Sequence, residues 1–175
     1  SIYWITNDGS RYVFPDVTTY YTWFADFKNV KHVSDAEIQR SPLKGNATYR
    51  PGAKLIKIEG RSEVFAVSRS NELRLIANEK VAQEIYGTNW RSYIRFLPES
   101  LMKDYRFGKS IIHAWDYHVA SEYHGVKTPS DNIVRMMGPV WPKPSINLMA
   151  DYPYNGDPTL VSLSASIQGP AFSGP

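Results

Sequence analysis

The chain contains no cysteine among its 175 residues, which excludes disulfides, thiolate nucleophiles and cysteine-ligated zinc sites. No apolar run is long enough for a membrane-spanning helix, because even Lys54–Ile58 and Ile133–Met137 are interrupted by charge. There is also no block of like charge. Twenty basic and seventeen acidic residues leave a net charge of +3, and the basic ones are dispersed, so no nucleic-acid footprint is expected. The densest group, Arg91, Arg95, Lys103 and Arg106, reads as a solvated face. Missing too are the Gly-x-Ser-x-Gly nucleophile turn, the phosphate-cradling glycine loop and the dinucleotide fingerprint.

Aromatic residues, by contrast, are abundant. They make up 14% of the chain, with 12 Tyr and 5 Trp, a content that serves either packing in small modules or aromatic contact surfaces. The apolar fraction of 42% suits an ordered, soluble globular protein. The sequence begins at Ser1 without a signal peptide, as expected of a fragment or of a chain whose leader has been removed.

These residues are arranged as two copies of one plan, over 2–46 and 64–109. In the first, Ile2–Thr6 and Arg11–Phe14 flank Asn7-Asp8-Gly9, a hairpin signal in which Gly9 supplies the positive φ of the turn. Asp16 then caps a helix over Val17–Phe24, where Tyr20, Trp23, Phe24 and Phe27 share one apolar face. Ser34 and Glu37 form a capping box for a short second helix, which Pro42 ends. In the second copy, Val64–Val67 turns at Arg69–Asn71 and returns along Leu73–Ile76. Asn78 caps Glu79–Tyr86, Gly87 stops it, and Pro98-Glu99 opens a further helix. Phe14 aligns with Ile76, Phe27 with Trp90 and Val33 with Leu97 at a slowly drifting offset, as duplication with single-residue loop insertions would leave. Between the copies, Asn46–Gly52 reads as a polar loop, with a formal glycosylation acceptor at Asn46-Ala47-Thr48. Ala53–Ile58 reads as a strand with Leu55 and Ile56 on opposite faces.

The run Asp8-Gly9-Ser10-Arg11-Tyr12-Val13-Phe14-Pro15 is followed by Tyr20-Tyr21-Thr22-Trp23-Phe24, Val33-Ser34-Asp35-Ala36-Glu37, Asn46-Ala47-Thr48-Tyr49-Arg50-Pro51-Gly52 and Lys54-Leu55-Ile56-Lys57-Ile58. Together they resemble a tandem aromatic-rich module of large secreted or surface proteins of candidate-phylum bacteria, where it recurs beside adhesion-like or wall-associated domains. The resemblance covers residues 2–108 and implies an extracellular setting, with no assigned activity. Ala77 departs from it, standing where a proline is usual, and nothing after Gly108 matches.

The C-terminal region differs in composition. From Pro139 it is rich in Pro, Gly and Ser, with Trp141-Pro142-Lys143-Pro144 and Asp151–Pro158 resisting any helix, and Ser145–Met149 reading as a short strand. Over Thr159–Ile167, Val161, Leu163, Ala165 and Ile167 alternate with serines, giving a strand that needs a partner sheet.

One cluster could carry chemistry. His113, Asp116 and His118, with Glu122 and His124 nearby, are ligand types for zinc, iron or manganese. As a strand, 110–118 would put Asp116 and His118 on one face; as a helix, His113 and Asp116 would be neighbours. Neither arrangement converges three ligands, so packing and surface roles are the simpler account, and neither a metal nor a cofactor is expected. Asp131 and Asp151 carry no selective spacing, and Asp151, Asn155 and Asp157 lack the ligand order of a calcium loop.

The expected fold is α+β: repeat modules over 1–60 and 61–108, and an extension over 109–175 carrying the strand 159–167. The expected function is a non-enzymatic extracellular structural or assembly module that self-associates by strand addition. A polysaccharide-binding module is the first alternative, and a metal-dependent enzyme using His113, Asp116 and His118 the second.

Overall fold

The computed structural model describes residues 1–133 and has an α+β fold. The strands predicted at Ser145–Met149 and Thr159–Ile167, and the loop holding Asp151, Asn155 and Asp157, lie outside the described residues.

The first hairpin forms as the turn chemistry requires. β1 (Tyr3–Ile5) and β2 (Arg11–Val13) pair antiparallel around Gly9 at φ 77°. Asp16 accepts a hydrogen bond from the Thr19 N–H at 2.7 Å and starts α1 (Val17–Trp23). The helix stops sooner than the aromatic periodicity predicts, because Phe24 already has extended backbone. Phe24 is therefore half-buried and Phe27 exposed, its ring stacked on Tyr20 at 4.7 Å rather than sunk into the core. Ser34 caps α2 (Asp35–Ile38), and β3 (Leu43–Asn46) returns parallel to β2 in a three-stranded sheet ordered β1-β2-β3.

The larger sheet has the order β7-β4-β5-β6-β8. Its middle is β4 (Leu55–Ile58) paired antiparallel with β5 (Val64–Ser68), every residue of which is buried. Period-two alternation divides these side chains between two cores. Leu55, Val64 and Ala66 face one core, with Trp90 and with Val81 and Ala82 of α3 (Glu79–Tyr86). Ile56, Ile58, Phe65 and Val67 face the other, with Tyr49, Leu97 and Tyr105. Ser70 and Asn71, both at positive φ, turn β5 into β6 (Glu72–Leu75). β7 (Ile94–Leu97) adds parallel to β4 and β8 (Arg106–Phe107) parallel to β6.

Asn78 caps α3 through the Val81 N–H and Gly87 ends it at φ 80°, as predicted. Trp90 is buried in this half, whereas Ile85 and Tyr86 are only half-buried. The segment 46–52 corrects the expectation of a polar loop. Ala47, Thr48, Tyr49, Pro51 and Gly52 are buried because the chain crosses here between the two sheets. Gly52 has φ 75°, and a Cβ there would stand 2.7 Å from the Val119 carbonyl oxygen. Asn46, the formal glycosylation acceptor, is held by a 2.6 Å bond from its Nδ2 to Asp104.

The start of the extension packs on both halves of this same chain. Ile111 bridges parallel to Ile76 and joins the α3 core, while Val126 joins the third core with Phe14, Tyr20, Trp23 and Ala47.

Candidate functional site

The stretch 110–118 of the histidine–carboxylate segment forms neither the strand nor the α-helix considered for it. It is a 3-10 turn, Ala114–Asp116, followed by α4 (Val119–His124). Two buried anchors fix it. Ile111 donates to the Leu75 carbonyl at 2.7 Å, and the Tyr117 hydroxyl donates to Val67 O at 2.5 Å while accepting from Gly52 N at 3.1 Å. Burial holds that hydroxyl far above its ordinary pKa, so it remains a donor.

Within and just beyond this turn, Asp116, His118 and Glu122 each have a structural role. Asp116 Oδ2 accepts from the backbone N–H groups of Ile112 (3.0 Å) and His113 (2.9 Å), and the His113 bond is the main reason its carboxyl lies below the usual carboxylate range. His118 caps α4, its Nδ1 accepting from Ser121 N at 3.3 Å. Glu122 is buried, accepts from Arg69 N at 2.8 Å and lies 3.5 Å from Arg69 Nε. His124 is exposed in the last turn of α4, edge-on to Tyr123. Among the described residues, no three His, Asp or Glu side chains group as a metal ion requires. Asp131 likewise accepts from Lys127 N and Thr128 N, both at 2.8 Å, at the start of α5 (Pro129–Asn132).

What this turn presents outward is a ring. The Trp115 indole is 81% exposed, and the His113 imidazole stacks on it at 4.3 Å and 18°. Three of the four basic residues read as a group are individually engaged. Arg91 pairs with Glu79, Arg106 pairs with Glu72 at 3.0 Å, and Arg95 donates to the carbonyls of Ser92 and Ile94.

A second locus has little signature in the local sequence. A small cleft lies where the N-terminus of α1 meets β7 and the following 3-10 turn, lined by Asp16, Thr19, Tyr49, Phe96, Asp104 and Tyr105 among others. Its polar groups largely bind one another. Asp104 accepts from Asn46 N and Nδ2, and the buried Tyr105 hydroxyl accepts from Tyr49 N at 3.0 Å. The cleft is thus a seam joining the first half to the larger sheet. Asn46-Ala47-Thr48-Tyr49 carried the available signal, but Asp104 is sequence-distant, and its role depends on a contact no local pattern encodes. No protein-family model, curated protein or solved structure matches the chain.

Proposed function

We propose that this chain is a non-enzymatic, extracellular structural or assembly module that associates with copies of itself by strand addition. The observation that carries this reading is the outer strand β7, which forms one edge of the five-stranded sheet and holds Phe96 67% exposed. An open edge offers backbone donors and acceptors to another strand, and a large apolar side chain on it is what solvated edges normally avoid. This reading assigns such an edge in a neighbouring copy to Thr159–Ile167, on its sequence alternation alone, since that segment lies outside the described residues. Two further features support the reading. In the His113–His124 segment Asp116 and His118 bond to backbone N–H groups, Glu122 bonds to Arg69, and the rings of His113 and His124 lie against Trp115 and Tyr123. In both halves a hairpin and a helix are followed by a strand parallel to the hairpin's second strand, β3 beside β2 and β8 beside β6, which supports a duplicated module, although β7 intervenes in the second half with no counterpart in the first.

Deleting residues 145–175 is expected to leave the far-ultraviolet circular dichroism of the described fold in place and to abolish higher-order association measured by light scattering and electron microscopy. Assembly of the truncated chain equal to that of the intact one would remove strand addition from the proposal.

Trp115 favours a second reading, in which the module binds cell-wall or extracellular polysaccharide. An indole carried on a turn that Asp116 closes through its bond to the His113 N–H, and stacked on the His113 ring, offers a flat surface for the C–H face of a pyranose. Trp115→Ala should then abolish pull-down on insoluble wall polysaccharide without shifting the melting temperature. Equal retention of both proteins would dismiss it.

A further inference from the structure

Arg95 differs from Arg91 and Arg106 in having no carboxylate partner. Those two each meet a glutamate, whereas Arg95 takes part in no ion pair among the described residues. Its Nη1 donates to the carbonyls of Ser92 and Ile94, which fixes the guanidinium against the start of β7. The Nε–Nη2 edge makes no hydrogen bond among the described residues. That edge presents two parallel N–H donors at the spacing of an oxyanion's oxygens.

Lys54 is its neighbour across the strand pair. The parallel register sets Leu55 against Ile94 and Ile56 against Arg95, so alternation places Lys54, one residue before β4, on the same face as Arg95. The Lys54 ammonium lies 6.0 Å from the centre of the Tyr93 ring, and it too is in no ion pair among the described residues. Both cations are half-buried. Burial first, and the charge of Arg95 second, lower the Lys54 pKa, with no carboxylate acting in the opposite sense. Asp16 and Arg95 do act with opposite sign on the Tyr49 hydroxyl, but Asp16 caps α1 through the Thr19 N–H and pairs with neither cation. Two like charges partly withdrawn from water repel each other, and an anion between them relieves that repulsion.

We propose that Lys54 and Arg95 form a binding site for one oxyanion, a carboxylate or phosphate group, with the Arg95 Nε–Nη2 edge as the fork and the Lys54 ammonium as the second charge. The site belongs to the β4–β7 pair and does not depend on strand addition. Its occupant has two sources: a free anion, or a carboxylate of this chain, for which the C-terminal region offers Asp151 and Asp157.

The test follows the Lys54 Cε and Arg95 Nε–H resonances of the intact chain during titration with inorganic phosphate, chloride holding the ionic strength constant. Both should shift along one saturable curve, while Lys57, on the opposite face of β4 from Ile56 and Ile58, should not move. Arg95→Gln and Lys54→Met should each weaken phosphate binding about tenfold, since each removes a charge-assisted contact. Arg95→Gln should also raise the Lys54 titration midpoint toward that of a free lysine, a readout that needs no ligand. Asp151→Asn combined with Asp157→Asn separates the sources. Tighter phosphate binding by that variant shows that the chain's own carboxylate fills the site, and unchanged binding shows that the anion comes from outside. Shifts that do not saturate, equal shifts at Lys57, or a Lys54 midpoint unmoved by Arg95→Gln would overturn the site and leave the strand-addition reading standing.

Discussion

Trp23→Ala lowers stability by about 3–5 kcal/mol in chemical denaturation, the cost expected for truncating a buried indole to a methyl group. Trp23 is buried among Phe14, Tyr20 and Ala47, in the small core of the first half that Val126 of the extension completes. Its Nε1 donates to the Thr48 carbonyl at 2.8 Å, inside the buried crossing between the two sheets. Truncation therefore leaves a cavity and also an unpaired buried carbonyl, which pushes the cost toward the upper end of that range. The residue four positions beyond the end of α1 supplies the control. Phe27→Ala removes an equally apolar ring, but one that is exposed and held mainly by stacking on Tyr20, so its cost is about 1 kcal/mol. Equal losses from the two substitutions would show that the core of the first half is not where the structure places it.

The contrast between Trp23 and Phe27 marks the line between what local sequence encodes and what it does not. Helix starts were legible at Asp16, Ser34 and Asn78, because a cap is a bond between a side chain and a backbone N–H only three residues away. Turns were legible at Gly9 and Gly87 for a similarly local reason, a required positive φ. Strand β4 was legible down to its faces, since Leu55 and Ile56 separate into different cores by alternation alone. Periodicity failed at Phe27 because the helix had already ended, so its fourth-residue spacing no longer described a face.

The parallel pairings of β3 with β2 and of β8 with β6 were not foreseeable in the same way. Leu43–Asn46 has no strand-like alternation, and Arg106–Phe107 is two residues long. Both are ordered by partners far along the chain, as is the burial of Tyr49, whose N–H donates to Tyr105. At the candidate site, the sequence identified the residue types between His113 and His124 but not their use. Asp116 and His118 bond to backbone groups within four residues, a role compatible with many sequences. The exposure of Trp115 follows from the spacing of its anchors Ile111 and Tyr117, which becomes visible only once the sheet beneath them is assembled.

Arg50 joins these long-range elements, and its replacement is the second large effect expected. Its guanidinium donates from Nε and Nη2 to the Tyr123 carbonyl at 3.2 and 3.0 Å, and from Nη2 to the Val126 carbonyl at 2.9 Å. The same group lies 3.7 Å from the centre of the Tyr123 ring and 5.7 Å from that of Trp23. One flat cation thus fastens the C-terminal end of α4 to the core of the first half. Arg50→Ala removes charge-assisted bonds of about 1.5–3 kcal/mol and a partly desolvated cation–π contact of up to about 2 kcal/mol, for a combined loss of about 3–5 kcal/mol. Arg50→Lys keeps the charge but not the planar fork, since an ammonium cannot reach both carbonyls while lying flat on Tyr123, and should recover less than half of that loss. Hydrogen exchange separates the clamp from a general loss of stability. In Arg50→Lys the amides of α4 should lose protection ahead of those in β5, whose bonds lie in the middle of the larger sheet. If β5 and α4 lost protection together, Arg50 would be holding up the whole fold rather than fastening one helix to it.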